Sequence, residues 1–199
     1  MQKDHRKKLR ESSSSPIDTP TAHDVLLAAS STHQKAGVPG RGLTVLVCVD
    51  ASPNAKRAFQ RALELIIKRR NPHDRLLILN VPRRMKHVNV KMNVLEDSEI
   101  RTLNYSYQKV AARLGNDYRE AGLEAGLDPK KIKSIVPTSD YSTNFKSNVR
   151  QEICNLAEFY DIDLLVLGRR GIGYVKRKMT GSTTEYCVRH APCNVLVVK

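Results

Sequence analysis

Four uninterrupted runs of apolar residues constrain the fold of this chain more than any other feature. They are LTVLVCV (43–49), LLILNV (76–81), DLLVLG (163–168) and NVLVV (194–198), and a weaker fifth candidate is KIKSIVP (131–137). Continuous rather than alternating apolar residues indicate strands that are covered on both faces, as in parallel sheets. We therefore expect five buried, parallel strands.

Amphipathic segments separate these runs. In the first of them, Ser52-Pro53 is typical of an N-cap followed by proline at the first helical position. Apolar stripes with i, i+3, i+4 spacing predict helices over residues 52–70, 98–125, about 143–160 and 181–190. Alternating strands and helices predict a Rossmann-like α/β fold, in which an open parallel sheet carries helices on both faces. Ligands of such sheets bind beyond the carboxyl ends of the strands, where the strand order reverses.

The first 40 residues differ from the rest of the chain. They lack periodicity and contain a basic cluster followed by SSSSP and DTPT, a composition typical of disordered segments. We therefore predict a disordered tail over residues 1–40 and one folded domain over residues 41–199. The N-terminus lacks the apolar segment of a secretory signal, and no apolar run approaches the roughly 18 residues that span a bilayer. We expect a cytoplasmic or nuclear protein without membrane contact.

The predicted domain is basic. The chain has a net charge of +14, and the first 40 residues, with six basic and four acidic side chains, supply only a small part of it. This balance favours an anionic partner, such as a nucleotide, a nucleic acid or an acidic protein surface. The four cysteines form no C-x-x-C pair and lie in apolar contexts, so we interpret them as small buried hydrophobes: Cys48, Cys154, Cys187 and Cys193.

The most informative motif begins at the end of the run DLLVLG (163–168). Gly168 and Gly171 are separated by two residues, Gly171 and Gly181 by nine, and Ser182 follows at once. Glycines allow the backbone to approach a phosphate, and the free N–H groups at the start of the helix that Gly181 opens favour an anion. Arg170 adds a cation to this loop. The same glycines also fit tight turns that bind no ligand.

Other nucleotide and catalytic motifs are absent. The sequence has no G-x-x-x-x-G-K-[ST], no G-x-S-x-G and no H-E-x-x-H, and its glycines lack dinucleotide spacing after the first strand. We therefore predict no P-loop site and no catalytic or metal-binding residue.

The combination of features resembles the universal stress protein family. The hallmark of this family, G-x2-G-x9-G-[ST], is matched at every fixed position. The family also places an aspartate after the first strand, as Asp50 in VCVDAS, and ends much like TTEYCVRHAPCNVLVV. The resemblance covers residues 43–199. It implies a sheet of order 3-2-1-4-5, an ATP site in the glycine-loop branch, with accompanying Mg²⁺ left open, and a homodimer that pairs through the C-terminal strand Asn194 to Val198.

The resemblance also implies roles for individual residues. Asp50 would bind the ribose or lie near the adenine, on which Val81 would pack. The ribose and phosphates would be held by Gly168, Arg170, Gly171, Gly181, Ser182 and Thr183. The chain departs from the usual pattern in two places: Thr183-Thr184 replaces a more usual apolar-small pair, and the loop is unusually basic, a charge that bears on which nucleotide is preferred.

Three functions follow from this sequence. The leading one is an ATP-binding stress or signalling module with slow or no hydrolysis, and the second is a slow ATPase. The third is a nucleic-acid binder that uses a set of basic residues: Arg83, Arg84, Lys86, Lys130, Lys131, Lys133, Arg169 and Arg170. Because only 5% of residues are aromatic, base stacking is disfavoured, and nucleic acid is not the expected partner.

Overall fold

The computed structural model describes residues 41–82, 97–137, 148–169 and 182–199. These ranges contain a five-stranded, fully parallel sheet with the strand order β3-β2-β1-β4-β5. The order and the fold class confirm the prediction. The strands are β1 (Thr44–Cys48), β2 (Arg75–Leu79), β3 (Ile132–Ile135), β4 (Leu164–Gly168) and β5 (Asn194–Val198).

Helices connect the strands as predicted. They are α1 (Pro53–Arg69), α2 (Asp97–Glu124), α3 (Val149–Phe159) and α4 (Ser182–His190), with a short 3-10 helix at Pro129–Lys131. The start of α1 confirms the sequence signal, since the Ser52 hydroxyl accepts a hydrogen bond from the Ala55 N–H at 3.2 Å and Pro53 is the first helical residue.

Helix α3 begins later than predicted. The apolar stripe indicated a start near residue 143, whereas Asn148 is the N-cap and has an extended backbone. The Asn148 side chain accepts from the Arg150 N–H, and the Gln151 side chain accepts from the Asn148 N–H, which forms a capping box. These local hydrogen bonds set the start of the helix, although the apolar spacing continues before it.

Alternate residues of each strand face opposite layers of the core. Val45 and Val47 pack beneath α1 together with residues of α2, whereas Leu46 packs against α3 and α4. All three are completely buried, as expected for a strand covered on both faces. The continuous apolar runs of the sequence are therefore explained by two helical layers on one sheet.

The topology reverses between β1 and β4. Helices α1 and α2 lead outward from β1 on one face, and α3 and α4 lead back across the other face. In open α/β sheets such a reversal leaves a crevice beyond the carboxyl ends of the two strands, here β1 and β4, and ligands bind in it. The predicted tail, residues 1–40, and most of the glycine loop lie outside the ranges described.

None of the helices in those ranges is both long enough and apolar enough to span a bilayer.

Candidate functional site

Three of the predicted site residues lie side by side at the carboxyl edge of the sheet. Strand register places Cys48 of β1 opposite both Leu79 of β2 and Leu167 of β4. The residues that follow these positions, Val81, Asp50 and Gly168, therefore end three neighbouring strands. The sequence motifs, which are far apart along the chain, meet at the point where the strand order reverses.

Asp50 presents its carboxylate to solvent at this edge. The residue is exposed, and its Oδ1 atom accepts a hydrogen bond from the Ser52 N–H at 2.9 Å. This contact orders the short loop between β1 and α1, because Ser52 in turn caps the helix. An exposed, oriented carboxylate at a strand end is suited to accept hydrogen bonds from hydroxyl groups of a ligand.

Tyr118 of α2 supports the backbone of Asp50 and was not predicted as a site residue. Its hydroxyl donates to the Asp50 carbonyl oxygen at 3.1 Å, and its ring packs on Phe59 of α1 with centroids 5.0 Å apart. Burial, and to a smaller extent the negative charge of Asp50, raises the pKa of the Tyr118 hydroxyl. The sequence placed Tyr118 only on an apolar stripe, because its hydrogen-bond partner lies 68 positions away.

Gly168 is required by packing within the protein. A Cβ atom at this position would lie 2.6 Å from the Asn54 carbonyl oxygen and 3.0 Å from the Ala55 nitrogen. The absence of a side chain therefore lets the first turn of α1 approach the end of β4. The glycine thus brings the start of α1 close to the end of β4, at the carboxyl edge of the sheet.

The first turn of α4 contributes the described part of the glycine motif. Ser182 is the first helical residue, Thr183 is half-buried and Thr184 is buried. Free N–H groups at a helix start favour anionic ligands. This turn also contains one acidic residue, Glu185. Three further predicted residues, Arg170, Gly171 and Gly181, lie outside the described ranges.

Basic side chains surround the carboxyl ends of β4 and β5. The Arg57 Nε atom donates to the carbonyl oxygen of Lys199 at 3.1 Å, and the Arg57 guanidinium also bonds to the Asn54 side chain. Lys199 follows β5 directly beside Arg169, whose N–H donates to the Val198 carbonyl at 2.7 Å. Arg57, Arg169 and Lys199 are thus three basic residues at this part of the edge, and positive charge favours phosphate groups over neutral ligands.

In the portion of the chain that the structure describes, no three histidine, cysteine, aspartate or glutamate side chains are grouped to hold a metal ion. Among the described histidines, His190 lies at the other end of α4, where its ring stacks on Tyr186 with centroids 4.1 Å apart.

Comparison with known proteins gives consistent matches. The model of the universal stress protein family matches residues 43–199. A universal stress protein of Staphylococcus haemolyticus is 30% identical over 161 residues, which cover 78% of this chain and 83% of that protein.

Two solved structures share the fold. The universal stress protein UspA from Lactobacillus plantarum has a TM-score of 0.61 and 27% identity, covering 80% of this chain and 99% of that one. A universal stress protein family protein from Arabidopsis thaliana, solved with AMP bound, has a TM-score of 0.53 and 23% identity, covering 79% and 91%. The family match covers residues 43–199 and agrees with the fold and the sheet order. This chain belongs to the universal stress protein family.

Proposed function

We propose that this protein binds an adenine nucleotide, specifically ATP, across the carboxyl ends of β1 and β4, and acts as a nucleotide-responsive stress or signalling module with slow or no hydrolysis. The observation that carries the proposal is the exposed carboxylate of Asp50 in the crevice where the strand order reverses. The proposed site comprises Asp50, Val81, Gly168, Arg170, Gly171, Gly181, Ser182 and Thr183.

Each part of a nucleotide has a matching group in this site. The ribose hydroxyls can donate to the carboxylate of Asp50, whose backbone is held by Tyr118. Val81 is half-buried and packs against the core, so its remaining apolar surface suits the face of a base. The phosphates fit the start of α4 and the cations near β5. The Arabidopsis family member, whose structure holds AMP, supports an adenine nucleotide as the ligand class.

Gly168 has a packing role that separates it from the other proposed contacts. Since a Cβ atom there would collide with the backbone of α1, replacement would disturb the fold as well as the site. A loss of binding in a Gly168 variant would therefore not identify a contact. Asp50 is the better residue to vary, because it is exposed and the hydrogen bond that its carboxylate accepts, from the Ser52 N–H, is local to its own loop.

The experiment is a titration of nucleotide-free protein with ATP, ADP and AMP, followed by calorimetry. Asp50→Asn keeps an oxygen acceptor for the Ser52 N–H but removes the charge that would bind the ribose. We expect its dissociation constant for ATP to rise by about 10- to 100-fold, the effect of losing one or two charge-assisted hydrogen bonds.

Glu158→Gln is the matched control. It removes the same charge near the end of α3, close to the start of β4 and thus at the opposite edge of the sheet. It should leave the affinity within about twofold, since exposed charges farther apart than the Debye length are largely screened. Equal weakening by both variants, or no heat with any adenine nucleotide, would refute binding at this edge. Phosphate release measured on the same samples distinguishes a binding module from a slow ATPase.

We also propose that two copies pair through β5. Among the strands described, β5 contacts only β4, so its outer edge carries unpaired backbone groups. Leu196 is 40% exposed, whereas Val195 packs against the core. Leu196→Lys should therefore give monomers without unfolding the domain, and light scattering at micromolar concentration measures this. A monomeric unmodified protein would contradict the pairing.

A further inference from the structure

The four cysteines of the chain converge on one face of the sheet. Cys48 ends β1, Cys154 lies in α3, Cys187 lies in α4 and Cys193 precedes β5. All four belong to the core layer between the sheet and the helices α3 and α4. The sequence predicted four separate buried hydrophobes, and their grouping arises only from the topology.

Cys154 and Cys187 lie on two helices that pack against each other, α3 and α4. Both are buried members of the same core cluster, and each thiol perturbs the pKa of the other, as expected for neighbouring side chains. Cys187 is completely buried, whereas Cys154 is 8% exposed and is thus the member of the pair that an oxidant reaches first. Both sulfur atoms are present as free thiols.

We propose that Cys154 and Cys187 form a redox pair, in which a peroxide converts the two thiols into a disulfide that cross-links α3 to α4. In the first step, peroxide oxidises the Cys154 thiol to a sulfenic acid, and one oxygen atom of the peroxide leaves as water. In the second step, the Cys187 sulfur attacks the sulfenic sulfur, the S–S bond forms and a second water leaves. Two thiols lose two electrons in total, and one hydrogen peroxide gains them.

Burial makes both thiols slow to react with an oxidant. Burial is the main cause that raises the pKa of both thiols, to about 12 for Cys187, and the neighbouring Cys154 raises it further. The thiolate is the reactive form, so both groups react slowly near neutral pH. The proposal therefore requires that Cys187, which lies in the same core cluster, reacts with the sulfenic acid of Cys154 before a second peroxide does.

The test is a peptide map of the unmodified full-length protein after treatment with hydrogen peroxide, without reduction. Trypsin separates the four cysteines onto four peptides, residues 42–56, 151–169, 179–189 and 190–199, so each pairing gives a different mass. We expect the 151–169 and 179–189 peptides to appear cross-linked, lighter than their sum by two hydrogen atoms, and to separate again with dithiothreitol.

Thermal unfolding adds a second measurement on the same sample. The disulfide joins positions 33 apart and constrains the unfolded chain, so the midpoint should rise by about 5–15 °C relative to reduced protein. A lower midpoint would mean that the fold strains the bond, and this would overturn the claim that the pair is positioned for it.

Variants test the pairing. Cys48→Ser with Cys193→Ser keeps the pair and should still cross-link, whereas Cys154→Ser should leave Cys187 as a free thiol after the same treatment. Circular dichroism shows whether each variant is folded. If a variant does not fold, the peptide map of the unmodified protein still tests the proposal. Cross-linking that involves Cys48 or Cys193, or a sulfinic acid on Cys154 beside a free Cys187, would overturn the proposal.

Discussion

Aspartates occur at both edges of the sheet, but their surroundings differ. At the amino edge, Asp74 precedes β2 and is completely buried: it accepts the Leu43 N–H at 2.7 Å and the Arg69 guanidinium at 2.8 Å. At the carboxyl edge, Asp50 is exposed and accepts the Ser52 N–H within its own loop. The same type of side chain makes tertiary contacts at one edge and is exposed to solvent at the other.

The amino edge uses its carboxylates to align strands. Asp163, which precedes β4, accepts the Thr44 N–H at 2.8 Å and pairs with Arg41 at 3.2 Å. Asp74 and Asp163 thus hold the start of β1 from its two neighbouring strands. Because these carboxylates are committed to the backbone, they are unavailable for a ligand. A strand-end aspartate is therefore a functional candidate only where the fold leaves its oxygen atoms free.

The largest loss of stability is expected from replacing Asp74, the buried aspartate of the amino edge. Asp74→Ala leaves the Leu43 N–H without its acceptor and removes a charged hydrogen bond, so we expect a loss of about 2–4 kcal/mol in the free energy of unfolding. Arg69 is 40% exposed and can be solvated, which keeps the cost below that of a fully buried pair. Urea unfolding measures the change.

Asp50→Ala is the comparison for Asp74→Ala. It removes an exposed carboxylate with a local hydrogen bond, and should cost less than about 1 kcal/mol. Equal destabilisation by the two variants would mean that the carboxyl edge also depends on its aspartate for folding, and the distinction between the edges would fail.

Asp163 should give an intermediate effect. Its side chain is 18% exposed, so Asp163→Ala should cost about 1–2 kcal/mol through the lost acceptor for Thr44.

Asp161 also pairs with Arg41, at 3.0 Å, but is 44% exposed. Asp161→Asn retains the left-handed backbone (φ 48°) that asparagine tolerates and should cost less than about 0.5 kcal/mol. The reverse order would show that the ion pair, rather than the hydrogen bond to β1, aligns the strands.

Most of the fold could be predicted because it depends on local patterns. Continuous apolar runs indicated four of the strands, the weaker candidate KIKSIVP indicated β3, and Ser52-Pro53 indicated the start of α1. The start of α3 was placed too early, because apolar spacing does not reveal which polar residue closes the capping box. Asn148 and Gln151 make that choice through hydrogen bonds of their own.

The candidate site was predictable in part. Asp50 follows a buried strand, so its place at the carboxyl edge could be read directly. Tyr118 could not be found, since its hydroxyl reaches Asp50 only after α2 packs against α1. Gly168 was assigned to a nucleotide, and its contact with Asn54 was not foreseen, because that contact depends on how closely a helix approaches a strand.

The smallest expected effect is a change in the pKa of Tyr118, whose hydroxyl is both partly buried and close to Asp50. Burial first, and the charge of Asp50 second, raise the pKa of this hydroxyl above 10.0. The folded state therefore retains the proton more strongly than the unfolded chain. The stability that this provides is fully present below pH 10.0 and is lost as the pH rises through the raised pKa.

Asp50→Asn should lower the pKa of Tyr118 without returning it to 10.0, because the charge is removed while the burial remains. Carbon-13 NMR of labelled tyrosines follows the titration, and Tyr118→Phe assigns the signal. Glu158→Gln, which removes a charge near the other edge, should leave the pKa of Tyr118 unchanged, since that charge is distant and solvated. If Asp50→Asn also left it unchanged, the carboxylate would not act on Tyr118, and the two residues would not form one site.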